Sequence, residues 1–426
     1  MRPKVVAITG TKGKTTVSFL IDQIMLSLKR TTLRVDTTGH FINNERRSTK
    51  EDSTALWHIL PTVCPGRYLW ELMDYTPEER ANTVAVLECS LGCSRLAGVG
   101  HKWHDVGIWT NVMKDHLGST DLLQTREDIA DAKKFIFRYL AYDGYAVFNA
   151  CDDLVCSKLN LVPAEATKIP CIFDKENVCI NLDEHLANGG VAFSIDGTKI
   201  YKHTKNGAEL VYGAINLPWV FGGHFEPSMI NLCFAVAGTY GTLEGHLPEN
   251  LTEILDNIRL DHYGGRLTTL NAKNGTMIIA DYAHEKESLS SIGALAKTIA
   301  SERGGKTIGI VRMAYDRTDE AIDETGQAVG KAFDSLVVYD KIDGYWQQPK
   351  ELHFGKFQQA VGRISGLLSE AIKKTNPNVT TILREDEALE YAAKTAGEND
   401  VVVFIVNDDI KRSIDWVREK FEADFA

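Results

Sequence analysis

The stretch "VVAITGTKGKTTVSFL" (residues 5–20) joins an apolar run, a glycine-bracketed loop and an amphipathic segment. Val5, Val6, Ala7 and Ile8 read as a short buried strand, and Val17, Leu20, Ile21, Ile24 and Leu28 recur at helical spacing. Between them lies Gly10-Thr11-Lys12-Gly13-Lys14-Thr15-Thr16. A strand that ends in such a loop and feeds a helix turns backbone N–H groups and a positive dipole end toward phosphate. Lys14 is placed to reach β- and γ-phosphates, and Thr15 offers a hydroxyl to Mg²⁺. The longer pattern, with a glycine before Gly10, is absent; Ile8 and Thr9 stand there, so this is the shorter Gly-x-x-Gly-Lys-Thr loop. The competing reading, a glycine-rich turn with an incidental lysine, leaves the strand–loop–helix context unexplained.

Working outward, the 426 residues suffice for two or three domains, and 44% hydrophobic content supports real cores. The 34 glycines and 11 prolines do not point to disorder. A net charge of −11 argues against a nucleic-acid partner, which would call for a basic face. No apolar stretch approaches the roughly 20 residues that span a bilayer. Met1-Arg2-Pro3-Lys4 lacks the apolar core of a secretory signal, so no membrane partner and a cytoplasmic location are expected. Of the eight cysteines, none forms a Cys-x-x-Cys pair. Cys89 and Cys93 lie four apart without a second pair, which argues against structural zinc and for buried reduced thiols.

Strand and helix patterns alternate. "TVAVLEC" (83–89), "DVGIWTNV" (105–112) and "GYAVFNA" (144–150) read as short apolar strands, and "TREDIADAKKFIFRYL" (125–140) as one helix with an acidic first turn. The alternation predicts an α/β fold with a mostly parallel sheet covered by helices. Residues 160–215 read instead as hairpin strands, a small antiparallel insert or sheet edge. A helix over 227–241 follows. From 275 a second α/β pattern runs to strand "DVVVFIVND" (400–408) and a terminal helix. The paired glycines of "DHYGGR" suit a hinge, so two domains are expected, 1–259 and 260–426.

Four further places carry candidate chemistry. Glu88 ends an apolar strand, where α/β proteins bind ligands, and a carboxylate there suits Mg²⁺; the alternative is a solvent-facing glutamate. In "WTNVMKDHLG", Asn111 can brace a turn, and His116 can meet metal or phosphate or be a surface residue. In "DIADAKKFIF", spacing alone makes Lys133 a solvated lysine on an amphipathic helix. In "GGRLTTL" and "IIADYAHEKESL", Arg266 suits a phosphate and Asp281 a ribose, against a hinge arginine and a helix cap.

Taken in order, "TGTKGKTT", "LECS", "TNVMKDHLG", "AKKFIF", "NACDD", "GGRL" and "DYAHEKESL" resemble the Mur ligase superfamily of ATP-dependent amide-forming ligases, over essentially the whole chain. Within it, "VAVLECSLGCSRLAGVG" and "DRTDEAIDETGQAVGKAFDSLVV" are most similar to the C-terminal half of the cyanophycin synthetase branch. The resemblance implies a central ATP-binding domain with a phosphate loop and a C-terminal Rossmann-like domain. It implies that Gly10, Thr11, Lys12, Gly13, Lys14, Thr15 and Thr16 bind the ATP phosphates, and that Thr15 and Glu88 hold one Mg²⁺. His116 would help hold a second Mg²⁺, and Lys133 matches a lysine carried as a carbamate toward it. Asn111 and Asn231 would lie at the nucleotide, Arg266 would reach phosphate, and Asp281 would meet the nucleotide from the second domain.

The implied chemistry activates a carboxylate as an acyl phosphate, which an amino acid amine then attacks, and domain closure would keep water out. Because the phosphate strand begins at residue 4, neither the superfamily's UDP-sugar domain nor an ATP-grasp half is expected. A partner subunit or a second copy of the chain would then complete a site for a small-molecule or acidic peptide acceptor. The readings from other classes are an ATPase subunit that regulates or scaffolds a partner, and a phosphotransferase. "DGYWQQP" (343–349) is where substrate contacts are expected, from its aromatic and amide content.

Overall fold

A computed structural model describes residues 2–47, 61–95, 97–114, 122–283, 285–314, 317–341 and 360–426. His116 and the stretch 343–349 lie outside them. The chain divides into two units, Met1–Ile258 and Arg259–Ala426.

In the first unit the described strands are β1 (Lys4–Thr9), β2 (Thr31–Asp36), β3 (Gly39–Ile42), β4 (Glu45–Arg47), β5 (Thr83–Glu88), β6 (His104–Trp109), β7 (Leu140–Asn149), β8 (Thr167–Ile172), β9 (Ala192–Asp196), β10 (Lys199–Thr204) and β11 (Gly207–Gly213). They form one sheet in the order β11-β10-β9-β8-β7-β6-β1-β5-β2-β3-β4. Strands β2, β5, β1, β6, β7, β8 and β9 in its middle run parallel, and hairpins close both edges. The central strands are near-continuous apolar runs because helices cover both faces, and a parallel sheet buries both. Register matters most here. Ile8 on β1 pairs with Glu88 on β5 and with Ile108 on β6. The carboxyl ends of three strands therefore stop side by side. The apolar helix Glu226–Thr242 lies close on this layer; a Cβ at its Gly238 would come within 2.6 Å of Ile108 and 2.8 Å of Ile21.

Two sequence expectations change. The single helix over 125–140 is two short ones, Arg126–Lys133 and Phe135–Arg138, and β7 begins at Leu140. Phe135, Ile136 and Phe137 are all buried in succession, which no single helical stripe allows, so core packing overrides periodicity. In the 160–215 region, β8 joins the parallel sheet, and Leu182–Ala187 is a helix capped by the Asn181 side chain. The antiparallel part is limited to β9–β11.

The second unit holds β12 (Thr268–Ala272), β13 (Met277–Asp281), β14 (Thr307–Val311), β15 (Ser335–Val338), β16 (Val379–Thr381), β17 (Val401–Ile405) and β18 (Ala423–Phe425), ordered β16-β15-β14-β17-β13-β12-β18. Strands β13 through β17 are parallel, and β12 and β18 add an antiparallel edge. This is a doubly wound α/β sheet. No helix among the described residues is long and apolar enough to cross a membrane.

The expectation of uniformly reduced thiols also fails at one place: Cys156 and Cys179 are joined as a disulfide. The Cys179 N–H donates to Ala150 O at 2.8 Å, which lays the two segments alongside each other. Nothing in a separation of 23 residues announces this.

The buried His104 and the half-buried His101 are expected to make the fold acid-sensitive. His101 Nδ1 lies 3.1 Å from Val99 O, its Nε2 3.2 Å from His104 Nδ1, and His104 Nε2 2.6 Å from Ile136 O. Three such bonds need three protons, and two neutral rings carry only two. Burial nevertheless lowers His101 to about 4 and His104 to about 3. In the unfolded chain both titrate near 6.5, so between that value and about 4 the unfolded state binds more protons. Stability is therefore present at neutral pH and falls on acidification, by about 1.4 kcal/mol per pH unit for each histidine. Urea unfolding at pH 7 and pH 5 should show the lower midpoint at pH 5, and His104→Asn should flatten that dependence. An unchanged slope in His104→Asn would assign the acid sensitivity to other groups.

Candidate active site

The site is built where β1, β5 and β6 end. Leaving β1, the chain turns through Gly10 and Gly13, whose φ values are +144° and +86°. Neither position tolerates a side chain. A Cβ on Gly10 would sit 1.9 Å from Thr110 Oγ1, and one on Gly13 would sit 2.2 Å from Asn231 Oδ1. The second distance also places Asn231, from the helix Glu226–Thr242, directly against the loop.

Asn111, just beyond β6, braces this turn from below. Its Oδ1 accepts the Thr11 N–H at 3.1 Å and the Lys12 N–H at 2.9 Å, and its carbonyl accepts the Thr11 N–H at 3.0 Å. The Thr110 hydroxyl donates to Lys12 O at 2.6 Å, and the Met113 N–H to Thr11 Oγ1 at 3.0 Å. Asp152 then holds the brace, accepting the Val112 N–H at 2.7 Å while capping the helix Asp153–Cys156. Asn111→Ala is thus expected to leave the Lys12 N–H without its acceptor, at about 1–3 kcal/mol where buried, while the Thr11 N–H keeps the backbone carbonyl of residue 111. A roughly tenfold rise in the nucleotide concentration needed for half-maximal turnover is the expected readout, a weakening of about 1.4 kcal/mol.

Lys14 and Thr15 open the helix Lys14–Ser27. The Lys14 Nζ donates to Thr11 O at 2.9 Å and lies 3.9 Å from Glu88 Oε1. The Thr15 hydroxyl donates to Glu88 Oε2 at 2.7 Å. Thr37, in the turn between β2 and β3, adds its hydroxyl at 3.1 Å from Oε1 and its N–H at 3.3 Å from Oε2. Glu88 is only 3% exposed, so the solvent-facing reading is overturned. One carboxylate and two hydroxyls converge with a lysine beside them. An all-oxygen set of this kind suits a hard divalent cation such as Mg²⁺, which keeps waters and shares phosphate oxygens. Among the described residues no group of three or more His, Cys, Asp and Glu side chains is placed to hold a metal.

Thr16 follows in the first turn of the same helix. Lys133 ends the helix Arg126–Lys133 and is 4% exposed. The solvated reading of this lysine is therefore wrong; its neighbour Lys134 is the one at the surface, 3.1 Å from Asp131. His116 lies outside the described residues. Arg266 and Asp281 belong to the second unit. Asp281 ends β13 and accepts the Leu267 N–H at 2.9 Å and the Ala283 N–H at 2.8 Å. The Arg266 guanidinium lies over the Tyr282 ring at 5.5 Å.

Sequence reasoning names Thr110 only as a turn former beside Asn111, gives Asp152 of "NACDD" no role, and does not find Thr37. The signal for Thr37 was the tight "DTTG" turn after a strand (residues 36–39). Beneath that turn, Arg34 bonds Asp36 and lies 3.3 Å from Asp22. Burial raises the pKa of both acids above the usual carboxylate range, against the pull of Arg34.

A model of the Mur ligase middle domain matches residues 8–177, and a model of the Mur ligase glutamate ligase domain matches residues 265–405. Cyanophycin synthetase of Trichormus variabilis is 26% identical over 98% of this chain and 42% of its own length. The UDP-N-acetylmuramoyl-L-alanyl-D-glutamate–L-lysine ligase of Staphylococcus haemolyticus is 27% identical over 77% of this chain and 59% of its own. The chain thus spans less than half the length of that cyanophycin synthetase. Among solved structures, E. coli FolC in complex with DHPP and ADP superposes with a TM-score of 0.64 at 14% identity, covering 98% of this chain and 89% of that one. MurF ligase from Thermotoga maritima in complex with ADP superposes with a TM-score of 0.59 at 17% identity, covering 99% and 80%. The two matched models account for most of the chain, on both of its α/β units, and place it in the Mur ligase superfamily.

Proposed function

We propose that the chain is an ATP-dependent, ADP-forming ligase that joins a carboxylate to the amine of an amino acid. The observation that carries this reading is the meeting of Lys14, Thr15, Thr37 and Glu88 at the mouth of the glycine loop. Loop N–H groups and the helix N-terminus bind the triphosphate, Thr15 and Glu88 are the ligands for Mg²⁺, and Mg²⁺ supplies charge neutralisation at the transferring phosphoryl group. Lys14 supplies a second positive charge there. The substrate carboxylate oxygen attacks the γ-phosphorus and ADP leaves. The amine nitrogen then attacks the acyl carbon, and inorganic phosphate departs from the tetrahedral intermediate with the C–N bond formed. His116 and Lys133, the latter as a carbamate, serve a second Mg²⁺ in this reading. Asn111 and Asn231 hold the loop and nucleotide, and Arg266 and Asp281 are nucleotide contacts of the second unit.

The substrate class proposed is an acidic peptide or small acid with an amino acid as donor, by likeness to cyanophycin synthetase. The deciding experiment measures ADP release against paired acids and amino acids, including aspartate-rich peptides with arginine or lysine. A ligase releases ADP only when both are present and yields a product heavier by the amine minus water. ADP release indifferent to the amine would identify an ATPase instead, and a stable phosphorylated product a phosphotransferase.

A further inference from the structure

A cavity of about 270 Å³ opens in the first unit at the amino-terminal end of β1, the opposite end of that strand from the phosphate loop. Val5, Leu69, Leu72, Met73 and Trp103 give it an apolar wall. Met73 is 72% exposed and Trp103 43%, and the adjoining Trp70 is 51% exposed, an uncommon grouping of large apolar side chains on a surface.

The rim is basic. Arg2, Arg80 and Lys102 line the cavity, and among the described residues no carboxylate does, although the whole chain carries a net charge of −11. Arg2 is neutralised by a two-pronged bond to Asp105, at 2.8 and 2.7 Å. Arg80 spends one N–H on the Met73 carbonyl at 3.1 Å, which ties it to the apolar wall. The Lys102 ammonium lies over the Trp103 ring at 4.7 Å. Two cations thus stand beside an aromatic and aliphatic surface. His101 also lines the cavity and is held neutral by burial, so it adds no charge at pH 7.

We propose that this cavity is a second ligand site, separate from the nucleotide end, for a small amphiphilic carboxylate. Its apolar body packs on Leu72, Met73 and Trp103, and its carboxylate is met by Arg80 and Lys102. The volume lies below that of drug-sized pockets, which favours a small free acid over a folded partner. The cationic rim selects the sign of the head group, since the like-charged alternative brings a third cation against two. The inference does not depend on the ligase reading.

The test uses the full chain and two probes that share one apolar body, 4-phenylbutyrate and 4-phenylbutylamine, titrated by ligand-observed NMR at low salt. The acid is expected to bind at least tenfold more tightly than the amine. Lys102→Glu should weaken the acid at least fivefold and strengthen the amine, while the uncharged Met73→Ser should weaken both. Both side chains are exposed, so thermal melting should stay at the parent value. Lys14→Ala should leave the titration unchanged, which separates this site from the phosphate loop. Equal affinity for acid and amine, a preference untouched by Lys102→Glu, or displacement of the acid by ATP would each overturn the proposal. An acidic peptide ending in phenylalanine that binds far more tightly than the free acid would overturn the small-ligand assignment.

Discussion

Lys14→Ala is expected to lower ADP release by roughly 10³-fold, the range seen when a single preorganised charge at a transferring group is lost. Lys14 is 16% exposed in its side chain and is held by its own loop, 2.9 Å from Thr11 O, with Glu88 at 3.9 Å. Its position is therefore set before nucleotide arrives, and little reorganisation is needed when charge builds on the γ-phosphoryl group. The ammonium is not a structural keystone. Thr11 stays held through its N–H, which donates to Asn111, and Glu88 retains Thr15 and Thr37. The variant should accordingly keep its melting temperature within a few degrees while turnover disappears. Steady-state ADP release with saturating acid and amine is the measurement. Turnover at the parent rate would remove the phosphate-loop assignment, whatever the substrates prove to be.

That residue was legible because three local signals coincide within sixteen positions: a strand, a loop with two glycines and a helix with its lysine in the first turn. The parallel sheets were legible for a similar reason. Strands such as Val84–Leu87 and Val401–Ile405 are uniformly buried, and such runs separated by helical periods leave few topologies open. The helix over 125–140 was misread because its apolar residues serve two different faces of the core, a tertiary fact with no period of its own.

The site divides along the same line. Glu88 was visible as a strand-end carboxylate, but its burial was not, because burial depends on Thr37 arriving from a turn fifty residues earlier. Lys133 shows the reverse failure. Helical spacing puts it among solvated lysines, yet it is 4% exposed, and only the resemblance to the superfamily singled it out from Lys134. Asn231 lay in an apolar helix with no motif around it, and its meeting with Gly13 is a consequence of how that helix crosses the loop. Pairwise approach across long separations is the part of a site that spacing cannot encode.

Glu88→Gln isolates the other half of the chemistry. The substitution keeps the side chain's shape and removes its charge, and both threonine hydroxyls can turn to accept from an amide as readily as they donate to a carboxylate. The loop should therefore keep its geometry, and the loss should fall on the cation. Mg²⁺ demands oxygen ligands and binds through one or two carboxylates plus phosphates, so deleting the one carboxylate in the Thr15–Thr37 cluster weakens it directly. The expected result is a fall in turnover of roughly 10²-fold at ordinary Mg²⁺, with about tenfold more Mg²⁺ needed for half-maximal rate. Part of the lost rate should return as Mg²⁺ is raised. Lys14→Ala should show no such rescue, because a missing ammonium is not replaced by filling the metal site. If Glu88 acted only by fixing Thr15 and Thr37, the conservative amide would retain the parent Mg²⁺ dependence, and a titration of rate against Mg²⁺ in the two variants separates these outcomes.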